Sequence, residues 1–430
     1  MRRVLAALAL ALTCAPLCAD DPPNIVLAIA DDLDPTHLGF TGDARARTPN
    51  LDRLAAEGVY FRTLGVEPVC RPSLATLLSG QWPHQHGIVH NQPAAPLASA
   101  GVLPALLRAR GYATFCGGKF WEGAHADYGF TAPEARDETF ARNKDVGQDE
   151  LFRWLAGVKD RPWFVWWAPV LPHVPHRPLA RFAKPFESLE LPVPEGYVGD
   201  VERMREDERA LYGMDAWLDA EIGRFVRKLD ELGERDETVI VFLSDNGWSS
   251  AWPSKGTPRE LGVRSPLVVN GPGIAPHKLD ALVELVDVHA TVLALAGVEL
   301  PAGRPGQSLL PWLRGATGPA REFLCGAVYR RTGAGTPADL LVALHARDAR
   351  WKLELPLIDI DSAALTPGAV AAMSWRARGH SPALFDLAND PREQRNLAAD
   401  PAQVERLATL EAATQAWWRT SGGGELARPR

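Results

Sequence analysis

Short apolar segments alternate with helical ones along most of this 430-residue chain. Segments such as NIVLAIA, WFVWWAPV and TVIVFL are rich in β-branched and aromatic residues and lack the polar alternation of a half-exposed strand. Strands of this kind are buried on both faces, as in parallel sheets. Their alternation with helices therefore predicts an α/β fold, in which a large, mostly parallel sheet is sandwiched by helices.

The C-terminal part of the chain has a different pattern. A chain this long exceeds one ordinary core, so a second, smaller domain is expected. From about residue 321, strand-like pieces such as FLCGAVYR and ARWKLEL precede a terminal helix. The Gly- and Pro-rich stretch 301–319 is the predicted boundary. We therefore expect a large catalytic domain over residues 20–315 and a smaller C-terminal α+β domain over residues 320–430.

The N-terminus has the three-part layout of a secretory signal. Arg2 and Arg3 form a basic start, residues 4–12 are apolar, and residues 15–19 are mostly small. The apolar run is too short to span a bilayer, and no later stretch reaches the required length. We therefore expect residues 1–19 to be a signal peptide and the mature protein to be exported, either periplasmic or secreted.

The net charge limits the expected binding partners, and the cysteine count singles out one candidate reactive thiol. Loss of residues 1–19 removes two of the 46 basic side chains, and 44 against 53 acidic ones gives a net charge of −9. An acidic protein is not attracted to nucleic acid, so nucleic acid is not an expected partner.

Three cysteines remain after loss of residues 1–19, Cys70, Cys116 and Cys325, and at least one is unpaired in an oxidising compartment. Cys70 is the candidate, and a disulfide between the other two stays open.

Groups that bind metal, anions or protons follow four of the predicted strands. They are Asp31-Asp32, Gly117-Gly118-Lys119, the loop from His173 to His176, and Ser244-Asp245-Asn246-Gly247. In open parallel sheets, ligands bind beyond the carboxyl ends of the strands. Each group alone has an ordinary explanation as a turn or a solvated loop, but their convergence predicts one functional site.

The oxygen-bearing side chains of this set indicate a hard metal ion. Asp31, Asp32, Asp245 and Asn246 offer carboxylate and amide oxygens, which favour Ca²⁺ or Mg²⁺ over zinc. The number of side-chain donors favours Ca²⁺. Taken singly, Asp31-Asp32 could cap a loop and Asp245-Asn246 could form a tight turn.

Cys70 precedes Pro72 and a short predicted helix, so its side chain is expected near a helix N-terminus. The free N–H groups and the dipole there favour anions and predict a more acidic thiol. The alternative is a small buried hydrophobic side chain. Lys119 and Lys255 could neutralise an anion near this helix, and His173, in a proline-stiffened loop, suits a positioned acid.

The chain resembles the sulfatases of the alkaline phosphatase superfamily at these positions and at others along nearly all of the predicted mature chain. The matching motifs include Asn24-Ile25-Val26 leading to Asp31-Asp32, Thr48-Pro49-Asn50-Leu51-Asp52, Cys70-Arg71-Pro72-Ser73, Pro83-His84-Gln85-His86-Gly87, Gly118-Lys119, Pro172-His173, Ser244-Asp245-Asn246-Gly247, Lys255-Gly256-Thr257 and Leu384-Phe385-Asp386-Leu387.

The resemblance implies a mechanism and a set of roles. A maturation enzyme would oxidise Cys70 to formylglycine, whose hydrated aldehyde would attack sulfur with one hydroxyl and expel sulfate with the other. Lys119 and Lys255 would bind the sulfate of a sulfated small molecule or glycan, and His173 would protonate the leaving oxygen. The implied ligands of Ca²⁺ are Asp31, Asp32, Asp245 and Asn246, with the residue at Cys70.

Two positions depart from the family motifs. Leu74 replaces an arginine that aids recognition by the maturation enzyme and anchors the formylglycine, and Arg71 lies nearby in sequence. Trp121 replaces a histidine that contacts the hydrated aldehyde, and His125 lies nearby. Two other functions therefore stay open: a phosphoester or phosphonate hydrolase on the same scaffold, and a non-catalytic binding protein.

Overall fold

The computed structural model describes residues 22–92, 95–132, 148–158, 160–194, 197, 199–252, 254–330, 333–357 and 381–426. The predicted signal peptide, residues 1–19, lies outside the described residues. The α/β prediction is confirmed: a mostly parallel seven-stranded sheet is flanked by helices, and a separate, smaller sheet of four strands accompanies it. Among the described residues, no helix is long and apolar enough to cross a bilayer.

The large sheet has the spatial strand order β3-β4-β1-β5-β6-β2-β7. Its strands are β1 (Asn24–Ala30), β2 (Val59–Gly65), β3 (Ala113–Gly118), β4 (Trp163–Ala168), β5 (Thr238–Ser244), β6 (Arg264–Asn270) and β7 (His277–Glu284). Every neighbouring pair is parallel except those that involve β6, which runs antiparallel to both β5 and β2. The carboxyl ends of β1, β3, β4 and β5 therefore meet at one edge.

Helices cover both faces of this sheet. In the described part of the chain the α-helices are α1 (Pro49–Glu57), α2 (Cys70–Ser79), α3 (Pro83–His86), α4 (Leu103–Ala109), α5 (Gln148–Gly157), α6 (Ala180–Ala183), α7 (Val201–Leu232), α8 (Glu260–Val263), α9 (Leu285–Leu295), α10 (Leu310–Leu313), α11 (Pro337–Leu340) and α12 (Val404–Thr420).

Successive residues of β1 show why this strand reads as continuously apolar. Leu27 and Ile29 belong to one core, which α2, α4 and α9 cover, whereas Val26 and Ala28 belong to the other, which α1, α5 and α7 cover. All seven residues of β1 are buried. Neither face of the strand reaches water, so no position along it selects a polar side chain.

The small sheet is antiparallel throughout, with the order β11-β10-β9-β8. Its strands are β8 (Leu324–Tyr329), β9 (Leu341–Arg347), β10 (Trp351–Pro356) and β11 (Ala383–Asp386). Leu410 and Trp418 of α12 pack against it in two apolar clusters. The predicted boundary at residues 301–319 falls between α9 and β8, and the division into domains of 20–315 and 320–430 stays a prediction.

Candidate active site

The predicted site residues that follow β1, β3 and β5 are brought together at the common carboxyl edge of the sheet. Ala30 pairs with Ser244 at the ends of β1 and β5, so Asp31 and Asp245 follow at neighbouring positions. The Asp245 N–H donates to the Ala30 carbonyl at 2.9 Å. A further bridge joins Asp31 to Pro172, which brings the loop of His173 to the same place. Register of the parallel strands thus assembles the site.

The carboxylates and the amide form one buried group. Asp31, Asp32, Asp245 and Asn246 are each at most 2% exposed. The Asn246 side-chain amide donates to Asp32 Oδ1 at 2.7 Å, and the Asn246 backbone N–H donates to Asp245 Oδ1 at 2.7 Å. Asp32 has a φ of 61°, a left-handed backbone conformation that few residues other than glycine adopt. The chain therefore turns sharply at the point where it presents this carboxylate.

Two oxygens of this group lack a partner within the described residues. Oδ2 of Asp31 and Oδ1 of Asn246 are buried and accept no hydrogen bond there. Buried unpaired oxygens are costly, and a cation satisfies them. Ligand atoms of Asp31, Asp32, Cys70 and His173 lie within 4.8 Å of one another, close enough to share one metal ion. The donor set is rich in oxygen and fits a hard divalent cation.

Cys70 is the first residue of α2, whereas the sequence pattern placed it before the helix. Its Sγ lies 3.6 Å from Asp31 Oδ1 and 3.0 Å from Lys255 Nζ. The prediction of a more acidic thiol is wrong. Burial raises the pKa of the Cys70 thiol, and the carboxylates of Asp245 and Asp31 raise it further, which outweighs the charge of Lys119.

Lys119 and Lys255 approach the carboxylates from two directions. Lys119 Nζ lies 2.6 Å from Asp31 Oδ1 and 3.3 Å from Asp245 Oδ2. Lys255 Nζ lies 2.6 Å and 2.7 Å from the two oxygens of Asp32. Burial alone would lower the pKa of each lysine, but the carboxylates raise both, so both ammonium groups are charged. The site therefore has two fixed positive charges.

The carboxylates respond in opposite ways to this environment. Burial would raise the pKa of Asp31, but Lys119, His173 and Lys255 outweigh it, and the net effect is a lowered pKa. Burial raises the pKa of Asp245 to about 7, against the opposing charge of Lys119. The difference follows the geometry, since Lys119 lies closer to Asp31 than to Asp245.

His173 lies at the exposed side of the site. Its Nε2 is 3.4 Å from Asp32 Oδ2, and its side chain is 29% exposed. Its Nδ1 lies 2.6 Å from the Val174 carbonyl, a contact in which Nδ1 is the donor and Nε2 faces the site. His176, the other histidine of the loop, packs edge-on against Trp248. Of the two, His173 is therefore the one directed at the carboxylates.

Leu74 and Trp121, the residues that depart from the family motifs, lie in different environments. Leu74 is buried in the core beneath α2. Arg71 is directed to Glu122, with Nε and Nη2 each 2.8 Å from a carboxylate oxygen. Trp121 is exposed beside Lys119, and His125 packs against the ring of Phe120. Arg71 is thus occupied by an ion pair and does not take the place of the missing arginine.

Two residues support the site through hydrogen bonds that the sequence analysis did not predict. Ser73 Oγ donates to the Asp245 carbonyl, which ties α2 to the loop after β5. Glu122 accepts from Arg71 and also from the Leu97 N–H, at 2.8 Å. Ser73 belonged to a recognised motif, so its position was a usable signal. Nothing in the sequence around Glu122 distinguishes it from a solvated acid.

The charged side chains of Lys119 and Lys255 lie close to Cys70, a residue of a nucleophilic type. Fixed positive charge of this kind suits the transfer of a sulfuryl or phosphoryl group. The fold and the site together therefore indicate the class of sulfuryl and phosphoryl ester hydrolases. The sulfatase family profile matches residues 23–298, more than half of the chain. The protein belongs to the sulfatase family, the sulfuric ester hydrolases.

Individual relatives agree with this assignment. The chain is 28% identical to human arylsulfatase A, in an alignment that covers 91% of this chain and 87% of that protein. It is also 28% identical to the ulvan-active sulfatase of Formosa agariphila, over 67% of this chain and 65% of that protein.

Solved structures support the fold. A protein in complex with its substrate D-glucosamine-2-N, 6-O-disulfate superimposes with a TM-score of 0.76 at 21% identity, over 94% of this chain and 99% of that one. A 2-O GAG sulfatase gives a TM-score of 0.74 at 19% identity, over 95% of each chain.

Proposed function

We propose that this protein is an exported sulfatase that hydrolyses sulfate esters of carbohydrates, with Ca²⁺ and a formylglycine made from Cys70. One observation carries the proposal: Cys70 Sγ lies 3.6 Å from Oδ1 of Asp31, a proposed metal ligand, and 3.0 Å from the charged Nζ of Lys255. A nucleophile at this position adjoins both a cation site and a fixed positive charge. The formylglycine would supply a hydroxyl nucleophile together with a route to release the product.

The residues that would hold Ca²⁺ are Asp31, Asp32, Asp245 and Asn246, with the residue at Cys70. The unpartnered oxygens of Asp31 and Asn246 support this assignment. The bound ion would supply positive charge that balances the sulfate oxygens in the transition state. Mg²⁺ fits less well, because it demands near-ideal octahedral geometry and keeps several waters.

Lys119 and Lys255 would bind the sulfate group. Each ammonium lies 2.6 Å from a carboxylate oxygen, and the two side chains are 13% and 10% exposed. They are already oriented, so little reorganisation accompanies the build-up of charge on the transferred group. His173 would protonate the leaving oxygen, since its Nε2 faces the site and its partial exposure allows a leaving alcohol to reach it.

A carbohydrate leaving group is supported by the relatives. The ulvan-active sulfatase and the N-acetylgalactosamine-6-sulfatase of Homo sapiens are named for saccharide substrates. One structural neighbour binds a glucosamine disulfate. Export of the chain through residues 1–19, and a maturation enzyme that acts on Cys70, belong to the same proposal.

Sulfate release from a panel of matched sulfate and phosphate esters tests the function. The Ca²⁺-loaded wild type should release sulfate from sugar sulfates faster than phosphate from the corresponding phosphates, and Cys70→Ala should release neither. A preference for phosphate would favour the phosphoester hydrolase. Binding without turnover of any ester would favour the non-catalytic protein, to which the departures at Leu74 and Trp121 point.

A further inference from the structure

Large hydrophobic side chains are exposed at few places on this protein. In the described part of the chain they are Trp121, Val174, Leu179, Val193 and Val404. Trp121 is the one aromatic residue among them, with 39% of its surface exposed. Two of the five adjoin residues of the candidate active site: Trp121 follows Lys119 by two positions, and Val174 follows His173. Two exposed apolar side chains therefore lie close in sequence to residues of the candidate active site.

The indole of Trp121 lies next to the anion-binding part of the site. Lys119 Nζ sits 5.8 Å from the ring centroid, while the same ammonium contacts Asp31 at 2.6 Å. A cation at this distance is attracted to the face of an aromatic ring. A sulfate held by Lys119 would therefore place the group that carries it within reach of the exposed part of the indole.

The backbone that carries Trp121 is held firmly. The next residue, Glu122, is 7% exposed and makes a two-pronged ion pair with Arg71, which directly follows Cys70. Glu122 also accepts the Leu97 N–H at 2.8 Å. Phe120, on the other side, packs edge-on against Tyr128 and Phe130. Because both neighbours are fixed, the backbone at Trp121 needs little ordering when a ligand binds the exposed ring.

From these relationships we propose that Trp121 is a specificity-determining residue, whose exposed indole stacks on the pyranose ring that bears the sulfate ester. The inference rests on the proposed function. It assigns Trp121, the second residue that departs from the family motifs, to recognition of the sugar ring. The C–H face of a pyranose offers apolar, weakly positive hydrogens to the electron-rich indole face. The sulfate group contacts Lys119, so one substrate spans both side chains.

Binding measurements without turnover test this assignment. Isothermal titration calorimetry of Ca²⁺-loaded protein in a Cys70→Ala background would compare a glucosamine O-sulfate, nitrophenyl sulfate and inorganic sulfate. Trp121→Ala should weaken binding of the sugar sulfate about tenfold and leave inorganic sulfate unchanged. Trp121→Phe should retain most of the affinity for the sugar sulfate. Val404→Ala, at an exposed position of α12, serves as the matched control.

Four outcomes overturn the proposal. Equal weakening of sugar sulfate and inorganic sulfate by Trp121→Ala would show that the ring only supports Lys119. A larger loss for nitrophenyl sulfate than for the sugar would assign the ring to aryl groups. If the sugar sulfate binds and is turned over by the wild type with no dependence on Trp121, the inference fails while the proposed function stands. Absence of both binding and turnover in the wild type would reject both.

Discussion

Lys255 Nζ lies 3.0 Å from Cys70 Sγ. The two residues are 185 positions apart. They meet because α2 begins at Cys70 and the loop after β5 contacts the segment just before it, where the Gly256 N–H donates to the Pro68 carbonyl at 2.8 Å. The same ammonium contacts both oxygens of Asp32. Lys255 therefore links the proposed nucleophile to the proposed metal ligands, and its removal should affect catalysis more than folding.

We expect Lys255→Ala to lower kcat for sulfate-ester hydrolysis by about a hundredfold or more, the usual effect of removing one preorganised charge partner. Ca²⁺ binding should persist, because Asp32 loses its competitor. Steady-state kinetics with a sugar sulfate give the measurement, and Lys278→Ala, an exposed lysine of β7, is the control. A loss smaller than about threefold would remove Lys255 from the proposed machinery.

Metal dependence follows from the unpartnered oxygens of Asp31 and Asn246. Ca²⁺ at about a hundred times its Kd should stabilise the fold by about 2.7 kcal/mol, and a chelator should reverse the increase in Tm. Asp31→Asn should weaken Ca²⁺ binding measured by calorimetry. Asp280→Asn, whose side chain is 80% exposed, should leave it unchanged. Equal Tm values with Ca²⁺ and with chelator would argue against the metal site.

Much of the fold was predictable because several strands are buried on both faces. The bounds of β1 match the apolar run at residues 24–30, and β5 extends one residue beyond the apolar run TVIVFL. Strands β2, β7 and β9 were missed. In β7, only part of HKLDALVE is buried, so charged residues interrupt the apolar pattern at this sheet edge. Tertiary position, which the local pattern does not contain, decides such strands.

The candidate active site was also predictable only in part. The groups at Asp31, Lys119 and Asp245 were predictable, because the carboxyl ends of parallel strands converge whatever the loops do. The electrostatic character of the Cys70 thiol was not, since it depends on which carboxylates pack against it. The partner of Arg71 also depends on packing, because Glu122 lies 51 positions away.

The Arg71–Glu122 ion pair should be important for stability. Both side chains are at most 5% exposed, so loss of one leaves a buried, unpaired charge. We expect Glu122→Ala to lower the free energy of unfolding by about 3–5 kcal/mol in a urea titration. Asp280→Ala breaks the exposed pair with Arg62 and should cost at most about 1 kcal/mol. Similar losses in the two variants would contradict the assignment.

A second cluster outside the active site should make stability depend on pH. His37 lies among the carboxylates of Asp34, Glu208 and Asp215, with Nε2 3.2 Å from Glu208, and its ring stacks on Tyr212. Burial opposes the imidazolium, but the carboxylates, Asp34 first, raise the pKa of His37 from 6.5 to about 10. Its stabilising contribution is therefore complete below about pH 6.5 and is lost as pH rises towards about 10.

Urea titrations across this range measure the effect. The free energy of unfolding of the wild type should fall between pH 6.5 and 10 more steeply than that of His37→Gln, which lacks the titrating group. His277→Gln, at the exposed start of β7, should keep the wild-type slope. Parallel slopes for wild type and His37→Gln would show that His37 is not the group responsible.

Formylglycine at position 70 is the central element of the proposed mechanism, and Leu74 stands where the family motif has an arginine. Peptide mass spectrometry of the segment that contains Cys70, on protein exported by its native host and tested in parallel for sulfate release, measures it directly. We expect the mass of formylglycine in place of cysteine, in protein that releases sulfate. An unmodified Cys70 in correctly exported protein would contradict the formylglycine mechanism.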